Sequence, residues 1–344
     1  MQRLRWPLHR LRRSPSPSAF GRGRIFGGDR DRKGLSLRRT LSGRRFSAMR
    51  IAFIGLGAMG TGMAANQVKE GRSVAAFDLS QPALDKAKAN GCEIAASAAE
   101  AVKGADAVIT MLPAGTHVLK VYSEDVFPNA AKTALLADCS TIDVDTARKV
   151  AGLAGDQGFT FADAPVSGGT AGADAGTLAF MVGCDEAAFP RYEALIEPMA
   201  RATFRAGGHG AGQAAKICNN MALGIQMIGV CEAFALAERL GLHPQTFADI
   251  ASKSSSAGWA LNYSPWPGLL DTSASSRGYT GGFATALMLK DLKLAQEAAA
   301  RSGAATPLGA HAEALYALLE RQGMGGKDFS SMLQFLRGKL SELA

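Results

Sequence analysis

The feature that most constrains the fold is a glycine-rich turn between an apolar segment and a helix, in "RIAFIGLGAMGTGMAANQVKEG". The apolar residues 51–54 predict a buried strand, and a helix is predicted over about 59–70. Between them Gly55, Gly57 and Gly60 have the GxGxxG spacing. The first glycine permits a tight turn, the second lets the backbone approach a pyrophosphate, and the third lets the helix pack closely on the strand. Because free N–H groups at a helix N-terminus attract phosphate, the turn predicts a dinucleotide-binding βαβ unit rather than a glycine-rich helix start without a ligand.

The next segment indicates which dinucleotide binds. "SVAAFD" is typical of a second strand, and it ends in Asp78 where the dinucleotide fingerprint has an acid. A carboxylate there accepts hydrogen bonds from a ribose 2′-hydroxyl and repels a 2′-phosphate, and no arginine follows in "FDLSQP". NAD is therefore predicted over NADP. The predicted cofactor-binding residues of this unit are Gly55, Leu56, Gly57, Ala58, Met59, Gly60 and Asp78.

Further strand-like segments alternate with helical patterns. "DAVITMLP", "ALLADCSTI" and "GFTFADAPV" each end in turn-forming or small polar residues. This alternation is typical of an α/β fold with a doubly wound parallel sheet, which binds its ligand at the carboxyl ends of the strands. Leu112, Pro113, His117 and Thr141 fall at those ends and are predicted to lie near the cofactor. For His117 an ordinary surface position is the alternative.

A glycine loop follows the third of these segments, in "DAPVSGGTAGADAGTLAFMVG" at 163–183. Ser167 offers a hydroxyl, and Gly168 and Gly169 offer two unencumbered backbone N–H groups in succession. Such a nest suits a small carboxylate, so the loop is a predicted substrate site. A purely structural glycine turn is the alternative.

The stretch "GAGQAAKICNN" at 210–220 places a lysine in a predicted helix of some 28 residues. Lys216 and Asn220 are four residues apart and therefore share one helix face, with Asn219 beside them. Small and apolar residues surround the lysine, and desolvation lowers a lysine pKa. An amine with a pKa near 7 to 8 would serve as a general base. A solvent-exposed lysine in an ion pair is the alternative.

Charge is distributed unevenly along the chain. Residues 1–48 hold 13 Arg and one Lys against Asp29 and Asp31, a net charge of +12, whereas the remainder holds 24 basic and 28 acidic residues, a net charge of −4. An Arg- and Ser-rich segment with few acids is typical of a mitochondrial transit peptide. "RRFSA" resembles a processing site, with cleavage between Phe46 and Ser47. A basic nucleic-acid-binding arm is the alternative, although no recognition motif accompanies it.

Five scattered cysteines without a CxxC pair fit a reducing compartment and favour neither a disulfide framework nor a zinc site. No metal is therefore expected. The sequence also lacks a stretch of about 18 charge-free apolar residues, so no membrane span is predicted.

Four motifs together resemble the β-hydroxyacid dehydrogenase family. They are GLGxMGxxMAxN at 55–66, DAPVSGGxxGAxxGTLxFMVG at 163–183, GxGQAAKxxNN at 210–220 and GGFxTxLMLKDLxLA at 281–295. The resemblance covers essentially everything after residue 49. It implies NAD-dependent oxidation of a small 3-hydroxy acid, with reduction of a semialdehyde or of glyoxylate as the alternative activity on the same scaffold. A catalytically silent nucleotide-binding scaffold protein is a second alternative.

The resemblance also implies roles for single residues. Lys216 matches the family's catalytic lysine, and Asn220 matches the asparagine that positions the substrate. The residues that match the substrate carboxylate site are Ser167, Gly168 and Gly169. Lys290 matches a lysine that reaches the active site near the cofactor, and it is flanked by Phe283, assigned to substrate binding, and by Asp291.

The implied organisation is a Rossmann-type α/β domain over 49–211 and an all-helical domain over 212–344, after a leader over 1–48. Helical patterns at 285–302, 307–322 and 328–341 agree with the all-helical part. The family associates through this part, so a homodimer or homotetramer is expected, with no nucleic-acid partner.

Overall fold

The computed structural model describes residues 49–343. The predicted leader over 1–48 therefore lies outside the described residues. Within them the chain forms one nine-stranded sheet. Its strands are β1 (Arg50–Ile54), β2 (Ser73–Phe77), β3 (Glu93–Ile94), β4 (Ala107–Thr110), β5 (Leu135–Asp138), β6 (Thr160–Asp163), β7 (Val166–Ser167), β8 (Leu178–Gly183) and β9 (Ala200–Gly207).

The first six strands confirm the predicted parallel sheet. They lie in the order β3-β2-β1-β4-β5-β6, which is the strand order of dinucleotide-binding folds. Neighbouring strands end in register, so their carboxyl ends form one edge. The last paired residues along that edge are Phe77, Ile54, Thr110, Asp138 and Asp163.

Beyond β6 the predicted parallel sheet continues with strands of mixed direction. Strand β8 pairs antiparallel with β6 through Asp163 and Gly183, and also antiparallel with β7, while β9 runs parallel to β8. An apolar run such as "LAFMVG" predicts a buried strand but carries no information about its direction. The direction follows from the loop and helix between β7 and β8, which return the chain to the same edge.

Helices cover both faces of the sheet and form the second half of the chain. The α-helices are α1 (Gly60–Lys69), α2 (Gln81–Ala89), α3 (Ala98–Val102), α4 (Gly115–Val121), α5 (Phe127–Asn129), α6 (Val144–Asp156), α7 (Gly169–Ala175), α8 (Phe189–Ile196), α9 (Ala211–Arg239), α10 (Pro244–Ala251), α11 (Trp259–Tyr263), α12 (Thr285–Ser302), α13 (Pro307–Leu319) and α14 (Met332–Leu336). Single π-helical turns follow α4 and α13.

Side-chain alternation along the strands explains the two covered faces. Ile51 and Phe53 belong to one buried cluster, while Ala52 and Ile54 belong to the cluster on the opposite face. A parallel strand buried on both faces reads as a continuous apolar run, as β1 does. A third cluster lies within the helical half, around α9, α12 and α13.

The long helix α9 joins the sheet to the helical half. It packs on β6, β8 and β9 and also on α12, α13 and α14. Among the described residues it is the one helix long and apolar enough to cross a membrane by length and composition alone, although the sequence was expected to offer no such span. Lys216 and Glu232 interrupt the apolar residues of this helix, so no charge-free stretch within it reaches 18 residues. Its packing against strands and helices is that of a core helix.

Two of the three C-terminal helical predictions need correction. The first matches α12, but the second ends at Leu319, where a π-turn containing Gly323 at φ 83° follows. The third, expected as one helix over 328–341, is a 3₁₀ turn, the short helix α14 and a second 3₁₀ turn. Gly338 adopts a φ of 69° and therefore interrupts the helical pattern.

Candidate active site

The glycine turn after β1 has the geometry of a pyrophosphate site. Gly55 has a φ of 92°, and a Cβ on it would collide with the carbonyl group of Met111. A Cβ on Gly60 would collide with the carbonyl oxygen of Gly55, so this glycine lets α1 approach the turn. A Cβ on Gly57 would meet no protein atom within 4 Å. The first and third glycines are thus needed by the fold, whereas the second leaves open space where a phosphate group fits.

Asp78 lies directly after β2 and beside this turn. Its Oδ2 accepts hydrogen bonds from the N–H of Leu56 at 2.6 Å and of Gly57 at 3.3 Å, and its Oδ1 accepts from Ser80 N–H at 2.7 Å. The carboxylate is therefore held in one orientation at the edge of the dinucleotide site. It keeps lone pairs for ribose hydroxyl groups and repels a 2′-phosphate, so the residues present fit NAD. Of the remaining turn residues, Leu56 is buried, Ala58 is exposed and Met59 is partly buried.

The ends of β4 and β5 lie beside the turn along the same edge. Leu112 N–H donates to Ser140 Oγ at 2.7 Å, and Ser140 Oγ in turn donates to Asp138 Oδ1 at 2.6 Å. Burial raises the pKa of Asp138 to about 6, against the opposing hydrogen bonds from Ser140 and Thr110. This buried carboxylate therefore holds the two strand ends together.

The four residues predicted here as cofactor neighbours follow the ends of β4 and β5 along the chain. Pro113 is exposed next to Leu112, and the carbonyl oxygen of Thr141 accepts a hydrogen bond from Lys290 Nζ at 2.7 Å. His117 is exposed on the first turn of α4, where its backbone N–H donates to the carbonyl oxygen of Ala114. Its role as a cofactor neighbour stays a prediction.

Lys216 lies in the second turn of α9 and is buried, with 7% of its surface exposed. Burial lowers the pKa of its amine to about 8; nearby Asp291 opposes this shift, and Lys290 adds to it. An amine with this pKa exchanges protons readily near neutral pH. The alternative interpretation of Lys216 as a solvent-exposed lysine is therefore wrong. The pKa of Lys216 is lowered, as the sequence predicted.

Asn220, Asp291 and Lys290 form a continuous polar chain next to Lys216. Asn220 Nδ2 donates to Asp291 Oδ2 at 2.5 Å, and Lys290 Nζ lies 3.4 Å from Asp291 Oδ1. Asp291 is buried, so the Lys290–Asp291 pair is not the surface ion pair that its sequence position alone would indicate. Since Lys290 also bonds to Thr141, this chain links α9 and α12 to the carboxyl edge of the sheet.

The predicted carboxylate loop lies between β7 and α7. Ser167 ends β7 and is partly exposed, and α7 begins at Gly169. Gly168 and Gly169 have φ values of 142° and 64°, and a Cβ on Gly169 would meet nothing within 4 Å. The loop is open, with successive N–H groups, as an anion-binding nest requires. Between this loop and Lys216, the described residues show no direct hydrogen bond.

Phe283 is held by contacts within the helical half of the chain. Its N–H donates to Asp328 Oδ2 at 2.8 Å, and its ring contacts Phe329 edge-on with centroids 5.7 Å apart. Tyr263 OH donates to the same Asp328 oxygen at 2.7 Å. These contacts connect Phe283 through Asp328 with Tyr263 at the end of α11. No hydrogen bond or ring contact within residues 49–343 joins Phe283 to Lys216.

Across residues 49–343, no three His, Cys, Asp or Glu side chains are grouped as metal ligands would be. The five cysteines, all within this range, are free, and Cys218 alone among them is exposed.

Two buried polar residues that the sequence did not single out lie next to Lys216 along α9 or at its start. Asp163 accepts hydrogen bonds at the start of α9 from Gly210 N–H at 2.7 Å and Gln213 N–H at 2.9 Å. Burial raises the pKa of Asp163 to about 7, although these two N–H donors oppose the shift. Gln213 bonds to the backbone on both sides of Thr141. The available signal was their position within the quoted motifs, which gives no role to either side chain.

Comparison with known proteins assigns the family. Residues 50–208 match the family model described as the NAD binding domain of 6-phosphogluconate dehydrogenase, and residues 210–336 match the model described as NAD-binding of NADP-dependent 3-hydroxyisobutyrate dehydrogenase. A Mycobacterium tuberculosis 3-hydroxyisobutyrate dehydrogenase, whose structure is titled with L-serine, is 46% identical over 84% of this chain and 99% of its own, with a TM-score of 0.80. The chain belongs to the β-hydroxyacid dehydrogenase family.

Two further relatives of this β-hydroxyacid dehydrogenase differ in name. A Pseudomonas aeruginosa protein named NAD-dependent L-serine dehydrogenase is 50% identical over 283 residues, which are 81% of this chain and 95% of that protein. A Dictyostelium discoideum protein named probable mitochondrial 3-hydroxyisobutyrate dehydrogenase is 46% identical over 293 residues, 84% of this chain and 91% of the relative. The β-hydroxyacid dehydrogenase is thus an oxidoreductase that acts on the CH–OH group of a small hydroxy acid, with NAD as cofactor.

Proposed function

We propose that this enzyme oxidises 3-hydroxyisobutyrate to methylmalonate semialdehyde, with Lys216 as the general base. The observation that carries the proposal is the buried amine of Lys216, whose pKa is lowered to about 8, at the junction of α9 with the carboxyl edge of the sheet. Relatives named 3-hydroxyisobutyrate dehydrogenase support the choice of substrate.

The substrate carboxylate binds at the loop after β7. The Ser167 hydroxyl and the N–H groups of Gly168 and Gly169 are suited to an anion of that size. Asn220 uses one Nδ2 hydrogen on Asp291 and keeps the other for the substrate hydroxyl. Asp291 therefore orients Asn220, and the primary hydroxyl lies next to Lys216.

Lys216 moves the proton. In its neutral form the amine accepts the hydroxyl proton while the bond from the same carbon to hydrogen breaks, and in the reverse direction the protonated amine returns the proton to the carbonyl oxygen. Gly55 to Gly60 and Asp78 would hold NAD, with Leu112, Pro113, His117, Thr141 and Lys290 beside it, and the bound cofactor would supply the acceptor for the hydride. Burial keeps water away from the amine and so favours its neutral form.

The pH dependence follows from the sign of this shift. Below a pKa of about 8, the Lys216 amine is protonated and cannot accept a proton. We therefore expect kcat for oxidation to rise about tenfold per pH unit on the acid side and to level off above the pKa, while kcat for reduction falls in the same range. Initial rates from pH 6 to 10 with saturating substrates measure both limbs. Oxidation that stays flat across this range would contradict a base of this pKa.

L-serine is the second candidate substrate. The relative named L-serine dehydrogenase and the Mycobacterium tuberculosis structure titled with L-serine favour it. L-serine carries the same carboxylate and primary hydroxyl with an amine in place of the methyl group, so Ser167, Lys216 and Asn220 would serve it equally. Reduction of glyoxylate or of succinic or tartronate semialdehyde is the remaining enzymatic alternative, and a silent scaffold protein is the non-enzymatic one.

A substrate panel separates these functions. The rate of NADH formation from NAD is measured by absorbance for each acid. We expect kcat/KM to be highest for 3-hydroxyisobutyrate and lower for 3-hydroxypropionate and L-serine. One methyl group in an apolar pocket changes kcat/KM by only about 10- to 200-fold, so 3-hydroxypropionate should remain a measurable substrate. Highest kcat/KM with L-serine would assign the second function. Absence of NADH formation with every acid would contradict the proposed oxidation, and consumption of NADH with glyoxylate or a semialdehyde would then separate the reductase from the scaffold.

The cellular role is proposed on the same basis. Oxidation of 3-hydroxyisobutyrate is a step of valine degradation, and the Arg-rich segment over 1–48 supports import into the mitochondrial matrix with cleavage between Phe46 and Ser47. Relatives of similar identity come from bacteria as well as from eukaryotes. We further propose a homodimer or homotetramer formed through the helical part, where Leu236 near the end of α9 and Leu240 just after it are exposed.

A further inference from the structure

We propose that Asp163 is a positioning residue, which fixes the start of α9 against the carboxyl end of β6 and thereby sets the depth at which Lys216 is buried. The inference rests on the proposed function, in which Lys216 is the base. Asp163 is separated from that lysine in sequence by 53 residues. Asp163 would affect the reaction through its hydrogen bonds to the backbone of the first turn of α9, since Lys216 lies in the second turn.

The carboxylate of Asp163 acts as the N-cap of α9. The residue at the helix's own N-cap position is Gly210, with a φ of 83°, which has no side chain to accept the free N–H groups. Asp163 Oδ1 accepts from Gly210 N–H at 2.7 Å, and Oδ2 accepts from Gln213 N–H at 2.9 Å. Asp163 is fully buried, so these bonds have no competition from bulk water. A strand end thus holds the helix start directly.

Two glycines allow the backbone to pack closely around the carboxylate of Asp163. A Cβ on Gly183 or on Gly212 would collide with the carboxylate of Asp163, and one on Gly212 would also collide with the carbonyl oxygen of Met181. The helix backbone therefore lies directly on β6 and β8. A helix seated so closely transmits any shift of its first turn to the next one.

The same turn is attached through Gln213 to the loop that follows β5. Its Oε1 accepts from Ile142 N–H at 3.1 Å, and its Nε2 donates to the carbonyl oxygen of Ser140 at 2.7 Å. These two backbone groups flank Thr141, which receives Lys290. Gly212 and Gln213 precede Lys216 by four and three residues and so share its helix face. The first turn of α9 accordingly fixes Lys216 and the site of Lys290 together.

The test is Asp163→Asn, which keeps the shape but turns one acceptor into an N–H₂ donor facing a backbone N–H. We expect kcat to fall about 10- to 100-fold, the effect of losing a hydrogen bond to a charged group, with KM for NAD unchanged within about twofold. Without NAD, hydrogen exchange at the backbone of 209–216 should speed up. The pH midpoint of Lys216 acylation, followed by peptide mass spectrometry, should rise from about 8 towards the ordinary lysine value of about 10.4.

Asp106→Asn is the matched control. Asp106 Oδ2 also accepts a backbone N–H, from Arg50 at 2.9 Å, but at the amino edge of the sheet. It should change none of these quantities. If Asp163→Asn does not fold, Gly212→Ala, which pushes the same turn away from Asp163, should give the same combination of lower kcat, faster exchange and raised Lys216 midpoint.

The proposal would be overturned if Asp163→Asn left kcat, the rate of hydrogen exchange at 209–216 and the pH midpoint of Lys216 acylation unchanged. If Asp163→Asn does not fold, the same result in Gly212→Ala would overturn it. A loss of kcat without a change in the midpoint or in exchange would overturn it as well, because it would not act through Lys216. Failure of the proposed function is a different result, since it would appear as near-normal turnover when Lys216 itself is replaced.

Discussion

Lys216→Ala should lower kcat for oxidation of 3-hydroxyisobutyrate by about 10²- to 10⁴-fold, the usual contribution of a positioned proton-transfer group. The expectation follows from the burial of the amine and from its pKa of about 8, which make it a base at neutral pH. NAD binding should remain nearly intact, because Asp78 is hydrogen-bonded to the turn after β1 and no hydrogen bond within residues 49–343 joins either of them to the Lys216 side chain. Steady-state kinetics and titration with NADH measure the two effects separately.

Lys216→Arg distinguishes a base from a fixed positive charge. An arginine keeps the charge but does not lose its proton near neutral pH, so kcat should be as low as in the alanine variant. Lys293→Ala is the matched control, since Lys293 is an exposed lysine on α12. Near-normal turnover in Lys216→Ala or in Lys216→Arg would remove the assignment of Lys216 as the base.

Gly57→Val should weaken NAD binding by at least about 100-fold while leaving the melting temperature nearly unchanged. A Cβ at this position meets no protein atom within 4 Å, so we expect the fold to accept a side chain that branches there. It occupies the space into which the pyrophosphate fits and separates the phosphate oxygens from the backbone N–H groups. Each hydrogen bond to a charged group contributes about 1.5 to 3 kcal/mol, and loss of two accounts for the expected change. Isothermal titration with NAD gives the affinity.

Gly152→Val is the control for this prediction, because Gly152 is exposed on α6 and a Cβ there also meets nothing within 4 Å. It should bind NAD normally. Gly55→Ala provides the contrast, since its Cβ would collide with Met111 and its φ of 92° disfavours alanine, so it should lower the melting temperature. Unchanged NAD affinity in Gly57→Val would contradict the placement of the pyrophosphate.

Local patterns were sufficient to predict the parts of the fold that depend on neighbouring residues. The strand, turn and helix around Gly55 to Gly60 were predicted correctly, apart from one residue at each end of α1. The helix that carries Lys216 was also expected, and so was the lowered pKa, because small apolar neighbours within four residues already indicate burial.

Contacts between distant residues were not predictable in the same way. Lys290 meets Thr141 across 149 positions, Gln213 meets Ile142 across 71 and Asp163 meets Gly210 across 47. Periodicity describes which face of an element is apolar, but it does not say which elements meet. The same limit applies to the reversed direction of β8, and the break at Gly338 depends on a positive φ that the helical pattern does not reveal.

The most direct measurement is the crystal structure of the enzyme with NADH and 3-hydroxyisobutyrate, an abortive pair that cannot react. We expect Lys216 Nζ within about 2.6 to 3.2 Å of the substrate hydroxyl oxygen, with the substrate carboxylate on Ser167 and the N–H groups of Gly168 and Gly169. A substrate hydroxyl that contacts another titratable side chain instead, with the Lys216 amine turned away from it, would contradict the role of Lys216 as the base.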